Sequence, residues 1–132
     1  MPNEPLILPA MDLEAPGAGV RGAGLVIQNW QATGVAEMVA PLHVHHADDE
    51  AWHVISGALR FRLADREFVA GTGSTVLVPA GVAHTFGNAG PEPSRYIIIL
   101  PARLDELIGL LHEVSPAEHP EVYRRYESEL LE

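Results

Sequence analysis

The chain has 132 residues, of which 47% are hydrophobic and 20% charged, a composition typical of one folded domain with its own core. Its 18 acidic residues against 8 basic ones give a formal charge of -10, and such an acidic surface repels nucleic acid and anionic lipid. The sequence contains neither lysine nor cysteine, which excludes Schiff-base chemistry, a P-loop lysine, disulfides and thiolate-ligated metal sites. We therefore expect no nucleic-acid partner and no membrane partner.

The first part of the chain, residues 1–22, is rich in proline and glycine and predicts an extended N-terminal arm. This segment has neither a basic start nor a long apolar stretch, so it lacks the pattern of a signal peptide. We also find no run of apolar residues long enough to cross a bilayer. Together with the absence of cysteine, these features predict a soluble, cytoplasmic protein.

The middle of the chain, residues 23–101, predicts an all-β domain because short runs of β-forming residues alternate with turn residues. The predicted strands cover residues 25–30, 35–40, 51–56, 59–63, 67–70, 75–78, 84–86 and 95–100. Many short and evenly spaced strands are typical of a β-sandwich or barrel, and they argue against a parallel α/β sheet.

The last part of the chain, residues 102–132, predicts a helical tail because the apolar residues adopt a helical period. The apolar face of its first helix is formed by Leu104, Leu107, Ile108 and Leu111. A second helix is predicted over residues 121–131, and its start has two alternatives. Residues 115–118 have the sequence of a capping box, whereas a start at His119-Pro120 also places proline in the first turn.

A cluster of histidines and acids predicts a metal site. His43 and His45 are two residues apart, so on a strand their imidazoles point to the same face. Glu50 shares a face with Trp52 on the next strand, and His84 follows a Pro-x-Gly turn that can return the chain toward them. Three imidazoles and one carboxylate suit one divalent transition metal, namely iron, manganese, nickel, copper or zinc. An octahedral ion with four protein ligands would keep two positions for a small oxygen ligand or a substrate.

The spacing of these residues resembles the two signatures of the cupin family. The first is matched by His43-Val44-His45, then Glu50 after four residues and Gly57 after six more. The second is matched at every fixed position, by Gly73, Pro79, Gly81, His84 and Asn88. The one departure is the opening glycine of the first signature, where Glu37 stands. Two spaced signatures in the right order, matched at nine of ten fixed positions within roughly residues 34–101, are a specific signal.

The cupin resemblance implies a small jelly-roll β-barrel with a short C-terminal helical tail and a metal inside the barrel mouth. The implied metal ligands are His43, His45, Glu50 and His84. The resemblance also implies a homodimer, and the chain is similar to small single-domain cupins of the cupin 2 type described as quercetin dioxygenase-like. The alternative for the histidines is polar residues along barrel strands, but buried imidazoles beside a carboxylate would need a common partner.

Other polar residues of the first signature are expected outside the metal site. Alternation along the strands turns His46 and His53 away from the metal. Asp48 and Asp49 are most simply a solvated turn, although either carboxylate could orient a ligand histidine through a hydrogen bond.

A ligand pocket is predicted beside the metal, although filling the core is the ordinary role of apolar and aromatic side chains. The predicted lining residues are Met38, Trp52, Phe61 and Phe86. They favour a small apolar or aromatic compound that binds the metal through oxygen, and Glu37 is the candidate general base. We therefore expect a metal-dependent, dioxygenase-like oxidoreductase. The alternatives are a metal-containing binding or sensor domain without turnover, and a cupin isomerase or lyase.

Overall fold

The computed structural model describes residues 5–8, 17–34, 38–63 and 65–132. Within these residues the fold is mostly β, with two five-stranded sheets and two short α-helices. The strands before the helices are β1 (Gly19–Arg21), β2 (Leu25–Ala32), β3 (His43–His45), β4 (Glu50–Ser56), β5 (Ala58–Leu63), β6 (Glu67–Gly71), β7 (Thr75–Val78), β8 (His84–Asn88) and β9 (Ser94–Pro101). They are followed by α1 (Ala102–Leu111), a 3-10 turn (Pro116–Glu118), α2 (His119–Arg125) and β10 (Ser128–Leu130).

The ten strands form two antiparallel sheets. The first sheet has the order β1-β2-β9-β4-β7, and the second has the order β10-β3-β8-β5-β6. Between β3 and β9 the chain crosses repeatedly from one sheet to the other, so that strands distant in sequence become neighbours. This arrangement is consistent with the predicted jelly roll, whereas closure of the two sheets into a barrel stays a prediction.

The hydrophobic core lies between the inner faces of the two sheets. Along β4 and β9 alternate residues are buried, as expected for strands with one face on the core. Trp52 on the first sheet contacts Phe61 and Phe86 on the second sheet, with a ring-centroid distance of 5.2 Å in each case. Burying an aromatic side chain of this size contributes about 1.5–3 kcal/mol. These aromatic contacts therefore join the two sheets.

Seven of the eight predicted strands are confirmed, with bounds that shift by at most two residues. The eighth predicted strand covers residues 35–40, of which residues 35–37 lie outside the described residues. Of the rest, Met38 forms an isolated antiparallel β-bridge with Gly87. Residues 19–21 of the predicted arm form β1, which pairs with β2. The rest of the predicted arm is described only at residues 5–8 and 17–18.

The first tail helix follows the prediction, and the second does so only in part. In α1, Leu104 and Leu107 are both buried, which confirms the helical period. The prediction of one helix over residues 121–131 is wrong in its second half, because α2 ends at Arg125 and β10 follows. Glu127 takes a left-handed backbone conformation with a φ of 53°, which turns the chain onto the edge of β3. Pairing there satisfies backbone groups that an unpaired edge would expose.

The two alternative starts of the second helix are both partly correct. The capping box at residues 115–118 is present, and it encloses the 3-10 turn. The α-helix itself begins at His119, with Pro120 in its first turn. Neither α1 nor α2 has the length and apolarity needed to cross a membrane, and the described part of the chain has no other α-helix.

Candidate metal site

The four predicted metal ligands lie together between the two sheets. His43 and His45 are on β3, and His84 begins β8, where it is paired directly with His43. Glu50 begins β4 and reaches the same place from the other sheet. All four residues are buried, and one ligand atom from each lies within 4.8 Å of the others. The four therefore form one cluster that contacts both sheets.

Each histidine of the cluster is held through its Nδ1 atom. His43 Nδ1 donates to the Pro41 carbonyl at 2.7 Å, and His84 Nδ1 donates to the Val82 carbonyl at 2.9 Å. His45 Nδ1 lies 2.7 Å from the hydroxyl oxygen of Ser128. A neutral imidazole carries only one N–H, so a donating Nδ1 gives Nε2 a free lone pair. The two carbonyl contacts therefore fix His43 and His84 in the form that binds metal through Nε2.

The contacts of Glu50 show that this cluster fits a cation. Its Oε1 atom lies 3.0 Å from Nε2 of His45 and 3.0 Å from Nε2 of His84. When His45 and His84 carry their proton on Nδ1, each contact brings a carboxylate oxygen close to a nitrogen lone pair. The two atoms then repel each other unless a proton or a metal ion lies between them. Two atoms about 2.1 Å from one ion, in neighbouring positions of an octahedron, lie about 3 Å apart. The donor set and its spacing therefore fit a divalent metal ion.

The protonation states at neutral pH also suit metal binding. Burial, which disfavours the charged imidazolium, and then repulsion between an imidazolium and the adjacent His84 and His45 lower the pKa of His43 to about 4, so its imidazole is neutral. Burial alone would raise the pKa of Glu50, but its interactions with the neighbouring His45 and His84 outweigh burial and lower the pKa to about 2. The cluster thus offers an ionised carboxylate and a neutral imidazole without any need for a shift in pH.

We predict that acid destabilises the metal-free protein in a specific pH window. Since the folded pKa of His43 is about 4 and its ordinary value is 6.5, the unfolded chain binds more protons between these values. Stability should therefore fall as the pH drops from 6.5 to 4, by up to about 3 kcal/mol from His43. Protonation of Glu50 extends this loss of stability from pH 4.5 down to about pH 2. Urea unfolding of the metal-free protein across this range measures the slope.

The control for the pH prediction is the His43→Gln variant, which lacks the imidazole. Its stability should fall less steeply between pH 6.5 and 4, because the contribution of His43 is then absent. An identical slope for the variant and the wild type would contradict the assignment of this window to His43.

The two aspartates beside the cluster hold neighbouring segments in place. Asp49 accepts a hydrogen bond of 2.8 Å from the backbone N–H of Ala80, and this contact fastens the turn that leads to His84. Asp48 forms a 3.0 Å ion pair with Arg103 on α1. Asp49 is exposed, as the prediction of a solvated turn requires, whereas the side chain of Asp48 is largely buried in its ion pair. Neither forms a described hydrogen bond to a ligand histidine.

The other two histidines of the first signature lie away from the cluster, as predicted. The side chain of His46 is 54% exposed and its Nε2 lies 3.4 Å from a carboxylate oxygen of Glu129. His53 is on the outer face of β4, where its Nδ1 lies 2.8 Å from the Thr75 hydroxyl. Strand alternation was sufficient to separate these histidines from the ligands.

A cavity of about 250 Å³ opens directly beside the cluster. It is bounded by β2, β4, β8 and β9, by both tail helices and by the metal-ligand candidates His43 and His45. The lining residues are Gln28, Trp30, Val39, Ala40, His43, His45, Trp52, Phe86, Tyr96, Ile98, Leu107, Ile108, Leu111, His112 and Tyr123. An ion held by the cluster would therefore face a small, mostly apolar space.

The structure places the predicted pocket residues in different surroundings. Trp52 and Phe86 line the cavity. Phe61 lies behind them in the core, where it stacks with Phe86 at a centroid distance of 5.7 Å. Met38 is near the cavity-lining Val39, and its sulfur accepts a hydrogen bond from Arg60 at 3.6 Å. Glu37, the predicted general base, lies outside the described residues.

Two residues of the tail belong to the site although the sequence did not indicate them. Ser128 contacts His45 from β10, and the ring of Tyr123 on α2 lies 5.7 Å from the ring of His43. Burial and the charge of Glu50 raise the pKa of Tyr123 to about 12, so its hydroxyl keeps its proton at neutral pH. Residue 128 fell within a predicted helix, and nothing in the sequence marks the turn at Glu127 that brings it to the cluster.

The fold and the site together define a two-sheet β protein with a buried cluster of three histidines and one glutamate. A family model described as a cupin domain matches residues 31–100, which is more than half of the chain. The protein therefore belongs to the cupin family. No match to a curated protein reaches significance.

Several solved structures to which the chain is similar are described as cupins. A cupin protein from Bacteroides fragilis is 16% identical with a TM-score of 0.61, over 76% of this chain and 86% of that one. A cupin-2 domain protein from Shewanella frigidimarina is 20% identical with a TM-score of 0.55, over 66% and 82%. A protein described as a sugar phosphate isomerase from Silicibacter pomeroyi is 21% identical with a TM-score of 0.55, over 61% and 52%.

These likenesses establish the fold and no more. The chain spans about half the length of the Silicibacter pomeroyi protein, and a structure from Acidithiobacillus ferrooxidans gives a similarly partial match, over 59% of this chain and 50% of that one. At such low identity, substrates do not transfer between proteins that share a fold.

Proposed function

We propose that this cupin binds one divalent transition metal and acts as a dioxygenase-like metalloenzyme on a small apolar or aromatic compound that carries oxygen donors. The metal would be held by His43, His45, Glu50 and His84. When bound, such an ion supplies Lewis-acid polarisation of a ligand oxygen or activation of dioxygen. The proposal is supported by the cavity beside the cluster, because its walls are mostly apolar and the tail helices form part of them.

The charge of the cavity argues against sugar phosphates as substrates, although two structural neighbours are described as a sugar phosphate isomerase or a putative one. The chain has no lysine, and none of its eight arginines, all of which are described, lines the cavity. A dianionic phosphate in this space would meet no guanidinium or ammonium group, which are the usual partners of phosphate. A compound that is neutral or singly charged suits the cavity better.

Hydrogen-bond donors on the cavity wall support a ligand with oxygen atoms. Trp52 is 1% exposed, and its indole N–H has no hydrogen-bond partner among the described residues. An indole N–H can only donate, and because this atom is itself buried, it would reach an acceptor on a bound compound only after a small movement of the cavity wall. The Tyr123 hydroxyl is protonated at neutral pH and is a second donor on the same wall. The residues of this chain would thus orient the ligand and exclude water around it.

The prediction that Glu37 acts as a general base rests on the sequence, since the residue lies outside the described part of the chain. We propose it as a proton acceptor in turnover, because it precedes His43 by an even number of positions. Undiminished turnover of a Glu37→Gln variant would exclude this role.

The function is tested by metal analysis of the purified protein, followed by an oxygen-uptake screen with phenolic and diketone compounds and with sugar phosphates. We expect bound metal and oxygen consumption with at least one of the apolar compounds. His84→Ala is the matched inactive control. Conversion without oxygen uptake would instead support an isomerase or lyase, and ligand binding without turnover would support a sensor domain. A protein that takes up no divalent ion would contradict the proposal.

We further propose that the protein is a cytoplasmic homodimer without nucleic-acid or membrane partners. The outer face of the first sheet carries an apolar row across four strands, in which Ile27, Ile99, Ala51 and Leu77 are successive cross-strand neighbours. Leu77 is 60% exposed in the single chain. Because each copy carries a formal charge of -10, two copies can approach closely only through an uncharged surface. This apolar row is such a surface, so a second copy is its proposed partner.

We predict that Leu77→Glu converts the dimer to a monomer, because it would place two carboxylates in one contact. Val69→Glu is the matched control: Val69 is 61% exposed, but it lies on β6 in the second sheet. Sedimentation velocity at tens of micromolar should give a dimer for the wild type and the control, and a monomer for Leu77→Glu. A monomeric wild type, or dissociation of the Val69 variant alone, would contradict this interface.

A further inference from the structure

We infer that Ser128, on the last strand, is a positioning residue that prepares His45 for metal binding by fixing which ring nitrogen carries the proton. This inference rests on the proposed metal site. The antiparallel pairing of β10 with β3 places Ser128 directly opposite His45. The Ser128 hydroxyl oxygen lies 2.7 Å from His45 Nδ1, and both residues are buried. The contact is therefore shielded from water and is set by the register of two strands.

The direction of this hydrogen bond follows from a second contact of Ser128. Its hydroxyl donates to the carbonyl of Tyr126 at 3.1 Å, and a carbonyl oxygen can only accept. Because the single hydroxyl proton is used there, the oxygen of Ser128 must accept from His45. Nδ1 of His45 is therefore the protonated nitrogen, and Nε2 keeps its lone pair toward the centre of the cluster.

His45 differs in this respect from the other two histidines of the cluster. The Nδ1 atoms of His43 and His84 donate to backbone carbonyls, which no substitution removes. His45 is held by a side chain, and that side chain comes from the tail rather than from a signature of the family. The metal-binding form of one ligand thus depends on β10, which lies 83 residues further along the chain.

Without the Ser128 hydroxyl, a competing arrangement becomes favourable. His45 could move its proton to Nε2, which lies 3.0 Å from Oε1 of Glu50, and donate a hydrogen bond to that carboxylate. Hydrogen bonds to ionised groups are about twice as strong as neutral ones. This bond would occupy both a nitrogen and an oxygen that a metal ion requires. The inferred role of Ser128 is to disfavour that metal-free arrangement.

The first test measures metal affinity directly. The metal-free wild type, Ser128→Ala, Ser128→Thr and Ser115→Ala are titrated with Co²⁺ or Zn²⁺ against a chromophoric chelator. Ser128→Ala should bind about 10–100-fold more weakly, which is the usual effect of losing a hydrogen-bond partner of a metal-ligating histidine. Because Ser128→Thr retains the hydroxyl, its metal affinity should stay within about threefold of that of the wild type. Ser115 is an exposed serine that caps the 3-10 turn of the same tail, and its replacement should leave the metal affinity unchanged.

The second test reports the tautomer without any metal. Long-range ¹H–¹⁵N spectra of the metal-free protein should show His45 with a proton on Nδ1 in the wild type, and without it in Ser128→Ala. Wild-type affinity in Ser128→Ala, or an unchanged tautomer in its spectra, would overturn the inference. Equal losses in Ser115→Ala and Ser128→Ala would also overturn it, because they would indicate a general loosening of the tail. A wild type that binds no metal contradicts the proposed function, while the spectra still decide the role of Ser128.

Discussion

Replacing His84 with alanine is expected to weaken the binding of divalent metal by more than 100-fold. Loss of a hydrogen-bond partner of a metal ligand already costs about 10–100-fold, and here the ligand itself is lost. His84 is 2% exposed, is paired with His43 and lies 3.0 Å from Glu50 through its Nε2. The measurement is metal content after dialysis, together with competition against a chelator.

His46→Ala is the matched control, because it removes a histidine that is adjacent in sequence to His45 but is largely exposed. We expect wild-type metal affinity in this variant. Saturation at about 1,000 times the dissociation constant stabilises a protein by about 4 kcal/mol, so the wild type and the control should melt at a clearly higher temperature with metal than with chelator. His84→Ala should show no such difference. Equal losses of affinity in the two variants would place the metal elsewhere.

The second large effect is expected on stability, from replacing Gly57 with alanine. Gly57 closes the first signature and has a φ of 80°, a left-handed conformation that strains other residues by about 1–3 kcal/mol. A Cβ atom here would also fall on the Ser94 hydroxyl and within 2.9 Å of its Cα. Overpacking of this kind costs a further 1–3 kcal/mol or so. We therefore expect Gly57→Ala to lower the free energy of unfolding by about 3 kcal/mol or more.

Two other glycines separate the backbone effect from the steric effect. Gly73 has a φ of 87°, but a Cβ there would meet no atom within 4 Å, so Gly73→Ala should cost only about 1–2 kcal/mol. Gly71 has open space and no positive φ, and Gly71→Ala should be neutral within about 0.5 kcal/mol. Denaturant unfolding of the three variants gives the comparison. Equal losses for the variants at 57 and 73 would mean that the contact with Ser94 contributes nothing.

Close packing around Ser94 explains why Gly57 is so constrained. The hydroxyl of Ser94 donates to Asn88 Oδ1 at 2.5 Å and accepts from the Ala58 N–H at 2.9 Å. The Asn88 amide in turn donates to the carbonyls of Gly90 and Glu92. The last fixed residues of the two signatures, Gly57 and Asn88, are therefore joined through one serine. They have a structural role, whereas the histidines and the glutamate form the candidate metal site.

Local spacing predicted part of the candidate metal site. His43 and His45 share a face because strand side chains alternate, and Glu50 shares a face with Trp52 for the same reason. The return of His84 to the cluster depended on the resemblance to a family, since contacts across 34 residues are not fixed by local period. Most strands were likewise predicted from β-forming runs and turn residues. The pairing order of the strands was not, because it depends on the whole chain.

The contribution of the tail could not be predicted from the sequence. The helical period correctly placed Leu107, Ile108 and Leu111 on one face, but a period does not indicate which surface that face covers. β10 was missed because residues 121–131 suit a helix by composition, and pairing with the edge of β3 overrides that preference. Tertiary contacts commonly override a weak local propensity over so few residues. The pocket prediction was likewise limited. Alternation along a strand identifies the residues that face inward, but it does not distinguish those in the core from those on the cavity wall.

Strand β4 carries adjacent residues that belong to two proposed sites. Glu50 points inward to the metal cluster, and the next residue, Ala51, lies in the apolar row on the outer face of the same sheet. Any shift of this strand caused by contact with a second copy would therefore move a metal ligand as well. If the proposed dimer shifts β4 in this way, thermodynamic linkage would make the effect mutual: metal loading would change the dimer dissociation constant by the same factor as dimerisation would change the metal affinity. Subunit assembly and ion occupancy would then form one coupled equilibrium in this protein.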